Sequence, residues 1–491
     1  MLSVGEIKRF IDDDISSEKK QFAAVGQRYY EASHDILNSR LFYYNGDGDL
    51  VEDKARANIT IPHPSFTELA DQLTAFLLSS KDNIIQAKEK VDGLQEHLDQ
   101  YFDDDFWSEI ADLVTGTYTK GFEYLYVYKN SENRLAFQVA DSMGVVEVRE
   151  KDTDDGCKYI IYWYIDRVEK GRKRIKRIQV WSEKETWYYV QVGNTGRIVK
   201  DTAVEINPRP HVIYTDPKTN RKMGYGLGYI PFYRLDNCKK QFSGLKPVKP
   251  LIDDYDIHAC SLSNNLIDFD TPLYVVSGYQ GEDLGELQQN LKTKKIVGVD
   301  EQGGVSVNTV DIPYAARKEK LDIDEKNIYR FGMGFNSSQV GDGNITNVVI
   351  RSRYTLLELK ANKMEKRLRK LLKDIVKVVL TEINQENETD FQVSDVEFRF
   401  DHDIMTNESE NIANEKTKAD TQQVQVNTIL NIATNVGDEQ TLKALCEVMD
   451  WDFEELKIQV EKMNEEQNTA DAKAVLAGMV TDDEEVADAP V

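Results

Sequence analysis

A chain of 491 residues that is 40% hydrophobic and 10% aromatic has ample material for folded cores, yet it is too long for one ordinary core, so roughly two to four subdomains are expected. Its formal net charge of −25 argues against general adhesion to nucleic acid, because affinity for phosphate backbones accumulates from Lys and Arg contacts; any contact with DNA is expected to be local or transient. The cysteines Cys157, Cys238, Cys260 and Cys446 form no CxxC pair, charges interrupt the N-terminal MLSVGEIKRFIDDD, and no run approaches the roughly 20 apolar residues of a membrane span; the sequence reads as a reduced, intracellular chain without zinc site, disulfide framework, signal peptide or membrane segment.

In chain order, Val4 to about Arg40 is predicted to be helical, with Ile7, Phe10, Ile11, Ile15, Phe22, Val25, Tyr29 and Tyr30 near helical spacing. Turn chemistry at Asn45 to Asp49 and the prolines Pro62 and Pro64 break it. A second helix starts at Ser65, where Ser65 and Glu68 have capping-box spacing, and a third covers Phe106 to about Thr119. From Gly121 the pattern turns to β: two strands surround a polar turn at Asn130 to Asn133, and Tyr-, Trp- and Val-rich hairpins follow. The basic run Arg172, Lys173, Arg174, Lys176 and Arg177 falls where one hairpin turns, so a solvated turn is preferred over a nucleic-acid patch. Gly224, Gly226 and Gly228 have the spacing of a dinucleotide fingerprint, but Ile230 and Pro231 stand where the phosphate-binding helix should begin, which favours a plain turn.

A long helix is read from Pro250, with Val248, Leu251, Tyr255, Ala259, Leu262, Leu266 and Phe269 as its apolar stripe and Asp253, Asp254 and Asp256 near its positive end. A small insert follows: a strand, a short helix from Leu284 to Leu291, and a hairpin turning at Gln302 to Gly304. The next helix, YAARKEKLDIDEKNIYRFGM, is expected to turn Leu321, Ile328 and Phe331 inward. It delivers the chain into the polar loop GFNSSQVGDGNITN and then into a long basic helix whose stripe is Leu357, Ala361, Met364, Leu368, Leu371, Ile375 and Val378. Lys360, Lys363, Lys366, Arg367, Arg369, Lys370, Lys373 and Lys377 occupy its other faces. A strand in FQVSDVEFRFDHDIM, three short helices and an acidic tail complete the chain.

No catalytic constellation emerges. His34, His63, His97, His211, His258 and His402 form no HxH or HExxH pattern and have no Cys partner nearby in sequence, so neither metal nor cofactor is expected and the chain is not read as an enzyme.

The order of these elements, and above all LIDDYDIHACSLSNNLIDFDTPLYVV and KNIYRFGMGFNSSQVGDGNITNVVIRSRYTLLELKANKMEKRLRKLL, closely resembles the portal proteins of tailed bacteriophages of Gram-positive hosts. Asn264-Asn265 stands where that family's pattern has Asn followed by an acid. The resemblance implies an α+β portal fold: a wing at 1–233 (β-rich from about 121), a first stem helix at 234–269, a small α/β clip at 270–313 and a second stem helix at 314–332. A tunnel loop at 333–348, a long basic helix at 349–386, a helical crown at 387–466 and an acidic, disordered tail at 467–491 complete it. It also implies a homo-oligomeric ring, usually of twelve subunits with thirteen as the variant for isolated rings, at one vertex of the virion capsid, assembled in the host cytoplasm. Terminase, major capsid and scaffolding proteins and a head-completion adaptor are the implied partners, and double-stranded DNA passes through without sequence-specific binding. Two other readings stay open: a nucleotide-binding enzyme around Gly224 to Gly228, and a head-tail adaptor that forms no portal ring.

Within that frame, Asn336, Ser337, Ser338, Gln339, Val340, Asp342 and Asn344 are the candidate DNA-channel loop, polar and largely uncharged, with Gly334, Gly341 and Gly343 supplying backbone freedom. Lys318, Lys320 and Lys326 are candidates for facing the channel, with pairing to Asp322, Asp324 and Glu325 as the alternative. Lys366 and Arg369 are candidates for pairing with a neighbouring subunit's carboxylates, and Tyr279, Gln280, Glu282, Asp283 and Lys292 for meeting partners at the clip.

Overall fold

The computed structural model describes residues 1–402 apart from 55, 90, 131–132, 151–155, 170–172, 194–195, 216–221, 269–272, 280–282, 284, 286, 288–298, 309–312 and 337–346; beyond these it describes 416, 418, 421–429, 431–433, 437–449, 453 and 457–458. Two compact units divide the chain, one of residues 1–342 with 351–404 and one of 343–350 with 405–491.

The predicted N-terminal helix is two helices, α1 (Val4–Ile15) and α2 (Glu18–Tyr30). Ser3 and Glu6 form a capping box at the first, and the Ser16-Ser17 step parts them, with the Ser17 hydroxyl donating to the Asp14 carbonyl at 2.6 Å. α1 lays Ile7 and Ile11 on the antiparallel sheet β10-β9-β8-β7-β6, whose strands are Ile198–Lys200, Glu185–Val192, Lys173–Trp181, Tyr159–Glu169 and Val145–Val148. The basic run therefore lies largely within β8 rather than in a turn, with Arg177 paired to Asp166 and Asp201 and Lys176 over the Trp163 ring.

α3 (Ser65–Leu77) begins without the predicted capping box: Pro64 is the cap residue, and Glu68 turns away to Gln72 and Tyr329. α4 (Leu94–Asp99) is short; α5 (Asp104–Lys120) is capped by Asp103, whose carboxylate accepts from the Phe106 amide at 2.9 Å, and it ends at Gly121 with φ +99°. A Cβ there would lie 2.4 Å from the Gln241 carbonyl oxygen, so both conformation and space demand glycine. The strand after the glycine-rich turn, β14 (Phe232–Asp236), pairs with β4 (Phe122–Lys129), which pairs with β5 (Leu135–Ala140). Gly224 itself lies in β13 (Lys222–Tyr225), and a strand follows where a nucleotide cradle needs a helix N-terminus.

Three helices frame the candidate site: α6 (Lys249–Asp268), α7 (Tyr314–Gly332) and α8 (Asn347–Asn387). Between α6 and α7, β15 (Leu273–Tyr279) pairs antiparallel with β16 (Val299–Asn308). β16 runs straight through Gln302 to Gly304, so the hairpin predicted there is absent: Gly304 sits opposite Ser277 in the ladder. Most of the helix predicted from Leu284 to Leu291 lies outside the described residues.

α8 buries the predicted stripe from Leu357 through Ala361, Met364, Leu368 and Leu371 to Ile375, and widens it with Leu372, Val376, Val379, Leu380 and Ile383. Against this seam pack α3, α5, parts of α6 and α7, and β17 (Val396–Phe398), which pairs with β3 (Ile85–Ala87). In the second unit, α9 (Asp438–Met449) turns Cys446 inward, as its apolar spacing suggests.

Candidate functional site at the helix pair and the loop root

The predicted apolar stripe of α6 is only partly its buried face: Val248 is buried and Leu251 and Tyr255 pack against the core, while Phe269 lies outside the described residues. Leu266 is exposed, and the buried positions are Ile252, Asp256 and Cys260. The reason is an extended strap, residues 57–63, that runs antiparallel along the helix. Ala57 N donates to Asp268 Oδ1 at 2.8 Å, Ile59 N to Asn264 Oδ1 at 2.6 Å, Ile61 N to Cys260 Sγ at 3.2 Å and His63 N to Asp256 Oδ1 at 2.9 Å. Cys260 Sγ and Asn264 Nδ2 donate back to the Ile61 and Ile59 carbonyls, both at 3.4 Å. Every second strap residue thus meets every fourth helix residue. Asn264 is one of the rungs, and Asn265, which stands where an acid is expected, accepts from Arg317 of α7 at 2.6 and 3.2 Å in the amide orientation its neighbours require.

At the top of the strap, two histidines that look isolated in sequence converge on one carboxylate. Asp256, fully buried, takes His34 Nδ1 on one oxygen at 2.6 Å and His63 Nδ1 on the other at 2.8 Å. His34 Nε2 faces the Tyr29 carbonyl at 3.2 Å, and its ring stacks on Tyr29 with centroids 4.4 Å apart. Burial acts to raise the Asp256 pKa, but the hydrogen bonds from His34 and His63 outweigh it and hold the carboxyl below its ordinary range. Three residues separated by up to 222 positions make this group, so spacing along the sequence could not show it.

α6 and α7 are joined by charge. Lys320 reaches both Asp254 on α6 and Asp324 one turn along its own helix, and His258 approaches Asp254 at 3.5 Å. Of the three candidate channel lysines, Lys320 is therefore engaged in the helix pair, its pKa raised by hydrogen bonds to Asp254 and Asp324; the alternative pairing with Asp324 is realised. Lys318 and Lys326 are exposed, with no ion pair among the described residues. Asp324 is buried, whereas Phe331, expected inward, is 52% exposed.

The root of the loop is gripped from three sides. α7 ends with Met333 in the left-handed region at φ +54°, and the Gly334 amide returns to the Tyr329 carbonyl at 2.9 Å. Gln72 of α3 then holds Phe335 as a strand neighbour would: Nε2 donates to its carbonyl at 2.7 Å and Oε1 accepts from its amide at 2.9 Å. A Cβ on Gly334 would fall 2.2 Å from Leu69 Cδ2, so this glycine serves close approach to α3 rather than backbone freedom. The Phe335 ring stacks on Tyr354 of α8 at 4.6 Å, and Asn336 donates to Glu325 at 3.1 Å. Ser337, Ser338, Gln339, Val340, Asp342 and Asn344 lie outside the described residues.

Lys360 completes the grip and corrects the reading of α8 as basic on all its outer faces. Its side chain is buried, with Nζ donating to the Leu69 carbonyl at 3.1 Å and to the Gly332 carbonyl at 3.2 Å, over the Tyr118 ring at 4.7 Å. Gly332 is the last residue of α7, where unpaired carbonyls and the negative end of the helix dipole favour a cation. No carboxylate neutralises the ammonium among the described residues, and burial pulls its pKa down to about 7. Gln72, Glu68 and Lys360 were not legible as loop anchors; Lys360 falls one turn from Leu357 and Met364, and that position within the seam was its only signal.

Arg369 is also committed within the chain, pairing with Glu365 at 2.6 Å, donating to the Phe398 carbonyl at 2.7 Å and covering the Phe400 ring. Lys366 is exposed with no ion pair among the described residues. Of the residues expected at the clip, Tyr279 pairs with Val299 at a bulged ladder end, and Asp283 is exposed with its Oδ1 accepting from the Gly285 amide at 2.7 Å; Gln280, Glu282 and Lys292 lie outside the described residues. Among the described residues, no group of three His, Cys, Asp or Glu side chains could hold a metal ion, and no helix is long and apolar enough to cross a membrane.

Helix pair, intervening β-hairpin, gripped loop root and long seam helix follow in the expected order, and comparison with known proteins decides what they belong to. The family model described as phage portal protein, SPP1 Gp6-like, matches residues 10–473. The chain belongs to that portal protein family. Relatives named portal protein occur in Bacillus phage SPP1, 25% identical over 345 residues that make up 70% of this chain and 66% of that protein, and in Clostridium phage phiCD119, 21% identical over 404 residues, 77% and 82% respectively. The alignment thus spans just under two thirds of the Bacillus portal protein's length. The mixed helix and strand architecture accords with the portal fold.

Three outcomes are expected. Asp256→Ala strips His34 and His63 of their buried partner and should cost about 3–5 kcal/mol, read as a lowered urea midpoint. Because the Asp256 pKa is depressed on folding, its contribution is complete above the unfolded value of about 3.9 and is lost as pH falls through the folded value, so wild type and variant should converge only in acid. Lys360 has the opposite sense: its folded pKa of about 7 lies below the unfolded value, so the unfolded chain holds the extra proton between them. Stability should rise from pH 7 towards pH 10 by at most about 1.4 kcal/mol per unit from this group, and Lys360→Met should flatten that slope in melting curves. Gln72→Ala removes two hydrogen bonds of about 0.5–1.5 kcal/mol each, and amide exchange at Phe335 should accelerate roughly tenfold or more.

Proposed function

We propose that this chain assembles into a portal ring, twelve subunits in the virion, at one vertex of the phage capsid, and that its axial channel carries double-stranded DNA inward during packaging and outward during ejection. The family match across residues 10–473 is the observation that carries this reading. In it, α6 and α7 are the stem, β15 and β16 belong to the clip that meets terminase and later the head-completion adaptor, and the outer body meets major capsid and scaffolding proteins. Assembly takes place in the host cytoplasm, and the part the chain plays is structural rather than catalytic.

The charge pattern supports a conduit. A wall of many phosphate contacts would hold the duplex, since each adds a salt-dependent increment of affinity. This chain is acidic overall at −25, and the stem's Lys320 is already neutralised by Asp254 and Asp324. Lys318 and Lys326 remain as sparse cations that, repeated around a ring, would centre a duplex without trapping it. The loop beyond Asn336 carries Ser337, Ser338, Gln339 and Asn344, short neutral groups suited to brushing a moving duplex. Its root is held at Phe335 by Gln72 and at Asn336 by Glu325.

Negative-stain imaging of the purified chain should show an annulus of about twelve-fold symmetry, whereas a small compact species would refute the ring. Deleting Ser338 to Gly343 should leave the annulus intact while DNA packaging falls sharply in a complementation assay; undiminished packaging would remove the loop from the mechanism.

A further inference from the structure

The strap on α6 leads back to a β-hairpin with no apolar cover. β1 (Phe42–Tyr44) pairs with β2 (Leu50–Glu52), Phe42 opposite Glu52, Tyr43 opposite Val51 and Tyr44 opposite Leu50. All six residues are exposed, including Phe42 at 57%, Tyr44 at 74% and Leu50 at 60%, and none joins the apolar core. Alternation sends Tyr43 and Val51 to one face and Phe42, Tyr44 and Leu50 to the other, so both faces are apolar. An uncovered two-stranded hairpin is marginal in water, and a preformed aromatic patch marks an interaction surface.

This hairpin is nonetheless held firmly. Asp53 N donates to the Leu41 carbonyl at 2.8 Å and Asn58 Nδ2 to the Ser39 carbonyl at 3.2 Å, closing its base, and the strap fixes that base to the stem helix. Its tip is ordered by Asn45 Oδ1, which accepts from the Asp47 and Asp49 amides at 3.1 and 2.8 Å. The carboxylates of Asp47 and Asp49 have no ion-pair partner among the described residues. An acidic tip of this kind repels DNA.

The matching surface lies on the same chain. Lys363, Lys366, Lys370, Lys373 and Lys377 recur at steps of three and four and so share one face of α8, and all five are exposed. None has an ion pair among the described residues, in a chain where acids outnumber bases 86 to 61. An acidic aromatic hairpin and a separate cationic helix face on one subunit are complementary halves of a head-to-tail contact, the kind whose repetition builds a ring when its rotation closes.

We infer that the β1-β2 hairpin is a clasp between subunits, its Asp47 and Asp49 tip seated on the Lys366 and Lys370 face of a second copy of this chain. The inference rests on the ring reading and names the carboxylates that the cationic helix meets. Its apolar strand residues supply the contact area, and the charges set which copy and which face they meet.

Charge reversal tests it on the full-length chain. Asp47→Lys with Asp49→Lys, and separately Lys366→Glu with Lys370→Glu, should each lower the ring fraction in native mass spectrometry about tenfold at low salt while thermal melts of the subunit stay unchanged. The four changes together should restore rings, and hydrogen exchange across residues 42–52 should slow on assembly in wild type and in the fourfold variant. Rings that form undiminished in both pairs of reversals, or amides at 42–52 that exchange equally fast in subunit and ring, would overturn the clasp and leave the ring standing. Impaired rings that the fourfold variant does not restore would overturn the pairing of these two surfaces. A wild-type chain that forms no ring would overturn the ring reading and this inference with it.

Discussion

Burial of a single seam on α8 is the constraint from which most of the first unit follows. Eleven side chains from Leu357 to Ile383 leave water along it, each large one contributing about 1.5–3 kcal/mol before chain entropy is counted. Because α3, α5, α7 and β17 each bury against that one seam, none can shift without disturbing contacts of the others. The loop root inherits its rigidity from this arrangement: Gln72 comes from α3, Tyr354 and Lys360 from α8, and the glycines they enclose from the end of α7 and the residues just beyond it.

Buried charge takes both signs: Glu123, Asp256 and Asp324 lie inside the body, and so do the lysines Lys20 and Lys360. Both point their ammonium groups at backbone carbonyls: Lys20 donates to Ser142 and Val145 beside its bridge to Asp14, and Lys360 to Leu69 and Gly332. Each ties a helix to a segment remote in sequence. A cation can satisfy several carbonyls at once, which suits it to sites where chain ends or bends converge.

What could be read from sequence depends on the range of the forces involved. The seam of α8 was legible because helical period is local, and the β-rich region because alternation and turn residues are local. α6 misled for the same reason: its apolar residues suggest a stripe, but the strap's amides recruit Asp256, Cys260, Asn264 and Asp268, polar residues that no hydrophobic pattern would select. The group around Asp256, the Gln72 grip and the Lys360 contacts depend on partners more than 25 residues away, so only the fold brings them together. Ser65 and Glu68 show the converse, a correct local signal overruled because Tyr329 and Gln72 compete for the same carboxylate.

The strap and α6 behave as two rulers with nearly equal divisions. Two extended residues advance about 6.6 Å, four helical residues about 6.0 Å, so the scales slip by roughly 0.6 Å per rung. Over the three intervals between four rungs the slip reaches roughly 1.8 Å, enough to spoil a fifth hydrogen bond. A vernier of this kind sets its own length, whatever residues flank it. Pro62 lies between the rungs made by the Ile61 and His63 amides, so its missing N–H costs the strap no donor. The four acceptors Asp268, Asn264, Cys260 and Asp256 hold the strap in this register, and the part of the chain it carries is set at a fixed height along α6.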